Sequence, residues 1–189
     1  YGVLANAFIE LEPIKNLKIR SRLGSDMYFI LDNWKTNASY EFSSRGGVRG
    51  KSSTFGYSNT ITNTIEYSFN LNDDHHFTVL GGQEGVKNNY DYFYAQSTGQ
   101  IDDHLMLLQN GKKESYGMGE EGSESRFLSF LGRIDYDYAN RYFLDFSLRN
   151  DASSRFGANN KNAAFWAAGV LWKIKNEAFM NEYKWIDDL

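Results

Sequence analysis

Apolar and polar positions alternate along most of this chain, and the alternation is clearest from Arg126 to Phe156. Leu128, Phe130, Gly132, Ile134, Tyr136 and Tyr138 take the even positions, with Ser129, Arg133, Asp135 and Asp137 between them. After a short break the same parity returns. Tyr142, Leu144, Phe146 and Leu148 are even, and Asp145, Ser147, Arg149 and Asp151 are odd. A period of two places each set on its own face of a pleated sheet. Opposing Tyr138 to Tyr142 across Ala139-Asn140-Arg141 keeps the apolar faces together, whereas a slip of one residue scrambles them. The polar face carries Asp135, Asp137, Asp145 and Asp151 with two arginines, while the apolar face is rich in tyrosine. That pairing of faces suits a transmembrane barrel, with lipid on one side and a wet lumen on the other.

The same period marks five further strands. Val3 to Glu12 alternates, and Glu12 to Asn16 follows as a turn that contains the only proline, Pro13. Leu17 to Leu31 is the cleanest strand and exceeds the usual globular length of about 5–6 residues. Tyr57 to Asn70 and His76 to Glu84 flank a turn at Leu71 to His75, and a seventh strand covers Ala164 to Ile174. Asp32 to Gly56, Gly85 to Ser125 and Ala152 to Asn162 read as long loops, the second with a short helix at Asp102 to Asn110. Lys175 to Leu189 reads as a turn. Short and long breaks therefore alternate, like the periplasmic turns and extracellular loops of outer-membrane barrels. The expectation is an all-β, antiparallel up-and-down meander of about seven long strands. Seven cannot close an even-numbered barrel, so the chain should form an arc with both edges unpaired.

Composition narrows the options. With 189 residues, 20 basic and 24 acidic side chains and a net charge of −4, no nucleic-acid binder is expected. The absence of cysteine excludes disulfides and thiolate metal sites. No run approaches the 18 or so apolar residues of a membrane helix, and mean hydropathy is −0.56. Barrel strands pass that test unseen, because half of each is polar. Tyr1-Gly2-Val3 opens in mid-strand with no basic n-region, so a leader removed or a longer parent protein is expected.

From Ser129 onward the residues resemble one family. Leu131-Gly132-Arg133-Ile134-Asp135-Tyr136-Asp137-Tyr138 is similar to the Gly-Arg-x-x-Tyr-x-Tyr strand end of the SusC/RagA-like TonB-dependent outer-membrane transporters. Arg149 to Gly157 resembles their Arg-x-Asp-Gly-Ser-Ser-x-Phe-Gly signature, with Ala152 in place of its glycine. Trp172-Lys173-Ile174 with Glu177-Ala178-Phe179-Met180 resembles Trp-x-Ile-x-x-Glu-x-Phe-Met, and Ile186 to Leu189 stands where the next strand begins. Phe165-Trp166-Ala167 departs from the family's Phe-Pro-Ser. The resemblance implies that residues 1–189 are part of the wall of a 22-stranded barrel, without its plug domain or TonB box. It implies an outer-membrane location in a Gram-negative bacterium and uptake of glycan- or peptide-like nutrients. Expected partners are a SusD-like surface lipoprotein, the TonB complex through the missing plug, and outer-membrane lipid. An isolated arc is expected to self-associate through its edges.

Candidate chemistry fits that frame. Arg133, Asp135, Asp145 and Arg149 are expected to line the lumen, with opposite charges supporting cross-strand pairing. The aromatics Tyr90, Tyr92, Phe93 and Tyr94 are expected in an outer loop, where they could stack on a ligand or form part of an interfacial girdle. Asp73-Asp74-His75-His76 and Asp102-Asp103-His104 have metal-like composition but read as polar turns, since neighbours on a strand face opposite ways. Gly46 to Ser53 nearly spells a phosphate-binding loop, but the required first glycine falls on Arg45 and no helix follows. No catalytic residue, metal or cofactor is expected. The rival readings are a soluble all-β carbohydrate-binding module and a complete small membrane barrel.

Overall fold

The computed structural model describes residues 1–40, 46–155, 162–180 and 182. Seven strands make one sheet: β1 (Gly2–Ile14), β2 (Leu17–Thr36), β3 (Gly47–Asn70), β4 (His75–Gln100), β5 (Gly117–Tyr138), β6 (Tyr142–Ser153) and β7 (Asn162–Trp172). Each pairs with its neighbours in sequence, in the order β1 to β7. The register of β5 on β6 sets Tyr138 opposite Tyr142 and Asp135 opposite Asp145. β6 on β7 sets Leu144 opposite Val170 and Leu148 opposite Trp166, which carries the apolar parity onward.

The strands are longer than the alternation indicates. β4 has 26 residues, roughly 85 Å at about 3.3 Å per residue, whereas a tilted membrane strand needs only about 9–11. The expected long loop from Gly85 to Ser125 shrinks to 101–116, and β3 begins at Gly47 instead of Tyr57. The cause lies in the residues of these extensions. Val86 to Gln96 and Gly117 to Ser125 carry polar groups on both parities, so the two-residue alternation that marks a strand is missing from them. The expected helix at Asp102 to Asn110 is only a 3₁₀ turn at Leu108–Asn110. Pro13 lies inside β1, next to the break at Lys15 and Asn16 and not in it. Of the Arg149 to Gly157 signature, Phe156 and Gly157 lie outside the described residues, as do Ile186 to Leu189.

The short turns are built from local chemistry. Asn16 takes φ 68°, and its N–H donates to Glu12 Oε1 at 2.8 Å. Ala139 (φ 51°) and Asn140 (φ 54°) are both left-handed, as tight hairpin turns require, and the Asn140 N–H donates to Asp137 Oδ1 at 2.8 Å. Backbone bonds tie each turn to a neighbouring strand or turn. Ser68 N donates to Asn16 O, Ala139 N to Asp74 O at 2.7 Å, and Lys173 N to Arg141 O at 2.7 Å.

Two compact units make up the chain. One comprises Tyr1–Ala5, Ser25–Asn59 and Lys87–Ser125, and is called here the aromatic unit. The other comprises Asn6–Gly24, Thr60–Val86 and Arg126–Leu189, and is called the charged unit. Neither holds an ordinary core. Among the described residues the only buried apolar side chains are Met106 and Met180.

Candidate functional site

In the charged unit the two parities of β5, β6 and β7 differ in chemistry. On the even parity Leu128, Phe130, Ile134, Leu144, Phe146 and Leu148 are each 40–55% exposed, and Trp166 and Val170 reach 72% and 80%. At about 25 cal/mol per Å² of apolar surface, leaving such a face in water is costly. A band of rings closes it beside the short turns. Tyr67 stacks on Phe69 (5.6 Å between centroids), Phe69 on Phe77 (5.3 Å), and Phe77 meets Tyr136 (4.8 Å). The band continues through Tyr138, Tyr142 and Trp172, at 6.2 Å per step. Apolar residues edged by Tyr and Trp are the signature of a bilayer surface with an interfacial girdle.

The odd parity carries charges joined into a network. Arg149 donates through Nε to Asp151 Oδ1 (2.7 Å) and through Nη2 to Glu84 Oε1 (2.9 Å) and Ser129 Oγ (3.0 Å). Thr62 Oγ1 donates to the other oxygen of Glu84 at 3.3 Å. Arg133 holds Asp135 through Nε (2.8 Å) and Nη2 (2.7 Å). Arg20 and Glu10 form a further pair, beside an open hollow of about 360 Å³ that Lys18, Arg22, Thr62 and Thr64 help to line. Gly169 stands opposite Asp145 with no side chain, and a Cβ there would collide with that carboxylate.

All four expected lumen residues therefore share one face, but they are not paired as expected. Each arginine binds the aspartate two positions along its own strand, and the residue opposite Asp135 is the like-charged Asp145. Like charges directly opposite destabilise a sheet, so the register does not come from charge pairing; the apolar face sets it. The hub residue Glu84 is absent from the expected set. Its even position on β4, opposite in parity to Phe77 and Val79, is the signal that identifies it.

The four expected aromatics lie on β4, not in a loop. Strand geometry also divides them. Tyr90, Tyr92 and Tyr94 share one face and Phe93, 46% exposed, takes the other. Tyr92 and Tyr94 stack with centroids 6.0 Å apart. Three rings of the aromatic unit rest on glycines: Tyr94 over Gly119, Tyr28 over Gly56 and Trp34 over Gly50, and any Cβ at those glycines would strike the ring. Tyr28 and Trp34 thus add two rings to this unit that the alternation of β2 alone does not reveal.

The metal-like clusters are engaged otherwise. His75 Nδ1 and the Tyr136 hydroxyl share a hydrogen bond of 2.7 Å, and His76 Nδ1 bonds Asn70 Oδ1. Asp103 accepts from Ser39 Oγ and from the N–H groups of Ala38 and Ser39, and those bonds, the Ser39 hydroxyl foremost, hold its carboxyl below the usual range. Past β7, Glu177 accepts from the Tyr142 hydroxyl (2.6 Å), Trp172 Nε1 (3.1 Å) and Arg141 Nη1 (3.2 Å). The Tyr142 bond is the main cause of its lowered pKa.

No known family profile matches the chain. A TonB-dependent receptor of Formosa agariphila is 28% identical over 197 residues, covering 98% of this chain and 19% of the receptor. The TonB-dependent receptor SusC of Bacteroides thetaiotaomicron is 36% identical over 67 residues, 35% of this chain and 7% of its own length. Among solved structures, the RagAB peptide transporter superposes with a TM-score of 0.90 at 33% identity, over 95% of this chain and 20% of that one. The chain thus spans about a fifth of the length of the Formosa receptor and of the matched transporter chain.

Proposed function

We propose that this chain, a SusC/RagA-like stretch of TonB-dependent transporter barrel, serves as outer-membrane wall for the import of a glycan- or peptide-like solute. The observation that carries the reading is the contrast between the two faces of β5–β7. An exposed apolar band edged by rings meets lipid, and the charged network on the other side meets water and the plug domain. Arg133, Asp135, Asp145 and Arg149 line the lumen in this reading, with Glu84 tying β4 to β6 through Arg149. Tyr90, Tyr92 and Tyr94, with Tyr28 and Trp34, offer a passing solute flat faces and hydroxyl groups, and Phe93 points away. A SusD-like lipoprotein and the TonB complex are the partners that the family implies for the whole transporter. A soluble binding module would cover its apolar face with a second sheet, and among the described residues that face stays exposed.

Two measurements test this reading. Antibody raised against the segment should detect, in the outer-membrane fraction of the source cells, a protein several times longer than this chain. A soluble band of the chain's own size would contradict the proposal. Replacing Tyr90, Tyr92 and Tyr94 together by alanine in the whole transporter should weaken solute binding at least tenfold, as expected for lost ring contacts of about 0.5–1.5 kcal/mol each. Unchanged affinity would remove the aromatic wall from the solute path.

A further inference from the structure

The aromatic unit sorts its rings and its basic side chains onto opposite faces of the sheet. Side chains directly opposite on paired strands share a face. Tyr28 over Gly56 and Trp34 over Gly50 fix the register of β2 on β3. Tyr94 over Gly119, with the Asn88 Nδ2 bond to Ser125 Oγ (3.4 Å), fixes that of β4 on β5. Lys87 Nζ lies over the Tyr57 ring, 5.8 Å from its centroid, so the odd positions of β3 and β4 share one face and the even positions share the other. Tyr28, Trp34, Tyr90, Tyr92 and Tyr94 therefore stand on one face, together with the odd positions of β5. Each carboxylate of that face sits beside a ring. Asp26 is two positions from Tyr28, Asp32 two positions from Trp34, and the β4–β5 register sets Glu121 opposite Tyr92. All three are exposed and make no ion pair among the described residues. The strands of this unit place no lysine or arginine on that face, since Lys35, Arg49, Lys51 and Lys87 all have the opposite parity.

We propose that this face selects a positively charged solute, an oligopeptide that carries lysine or arginine side chains. Indole and phenol ring faces attract a cation, the carboxylate beside each ring supplies the counter-charge, and no basic side chain on the face repels it. A neutral glycan uses the rings but leaves the three carboxylates without a partner, and an anionic glycan meets like charge. The opposite face mixes its four cations with Asp91, Glu120 and Glu124, so the acid-only composition belongs to the aromatic face and not to the unit as a whole. This deepens, and rests on, the proposed reading of Tyr90, Tyr92 and Tyr94 as facing the solute path.

The test uses the whole transporter that contains this segment, purified in neutral detergent. Its affinity is read for fluorescently labelled oligopeptides of one sequence that bear arginine, glutamine or glutamate at the same positions. The parent should bind the arginine peptide most tightly and the glutamate peptide most weakly, with the differences shrinking at high salt. D26N/D32N/E121Q should lose about tenfold in affinity for the arginine peptide at low salt, the order expected of three solvent-exposed charge pairs, and none for the glutamine peptide. D91N/E120Q, which removes carboxylates from the opposite face, should leave every affinity unchanged. Heat-modifiable gel migration reports folding. Should the triple variant not fold, D26N/E121Q decides by the same criterion with a smaller loss. Equal affinity of variant and parent for the arginine peptide overturns the inference, as does a parent that binds the three peptides alike or binds none of them. Failure of the underlying reading looks different, because replacing the three tyrosines by alanine then leaves solute affinity unchanged.

Discussion

Single residues reveal the medium on each face. Leu144 is 45% exposed on the apolar parity of β6 and Asp145 beside it points into the charged network. Leu144→Arg should destabilise the folded barrel by about 2–4 kcal/mol, as expected for a cation at the bilayer midplane, read from denaturant unfolding in liposomes; a soluble-facing Leu144 would change stability by under about 0.5 kcal/mol. Gly50 is a second such residue, because Trp34 occupies the space where its side chain would be. Gly50→Ala should cost about 1–3 kcal/mol by overpacking, with the loss largely removed in a Trp34→Ala background, and additive losses would refute the contact. Glu177 gives a pH signature. Its carboxyl is lowered by its three donors, so the stability it contributes is present above its unfolded pKa and is lost as pH falls through the folded one. Amide exchange in the turn after β7 should therefore accelerate on acidification, and Glu177→Gln should flatten that pH response; an unchanged acid response in the variant would count against the clasp.

At the scale of elements, legibility followed the solvent. Where one face is apolar and the other polar, the period of two is strong, and β2 and the β5–β6 hairpin are readable down to the pairing of Tyr138 with Tyr142. Where both parities carry polar residues, as from Val86 to Gln96 on β4 and Gly117 to Ser125 on β5, the same backbone leaves no alternation and reads as loop. That is why Tyr90, Tyr92, Phe93 and Tyr94 were expected in one loop when β4 sends three to one face and one to the other. The charged face was legible as a face but not as a network. Long arginine side chains reach along a strand as easily as across it, so Arg149 selects Asp151 and Glu84 rather than a residue opposite. Glu177 was readable only as part of a family motif; its physical role as a clasp for Tyr142, Trp172 and Arg141 needed the turn's geometry.

At the scale of the molecule, one face is apolar and the other charged. With only Met106 and Met180 buried among apolar side chains, the described residues hold no core that could drive folding in water. In the proposed reading lipid supplies the missing apolar environment and the charged face meets an aqueous interior. A chain without cysteine allows this to be measured directly. Single cysteines at Leu144, Asp145, Phe146 and Ser147 in the whole transporter, reconstituted in liposomes, would be probed with a water-soluble maleimide and with a fluorophore quenched by brominated acyl chains. Maleimide should react at positions 145 and 147 only, and lipid quenching should occur at positions 144 and 146 only. Uniform labelling by maleimide at all four positions, without quenching, would contradict the assignment of lipid to one face and water to the other.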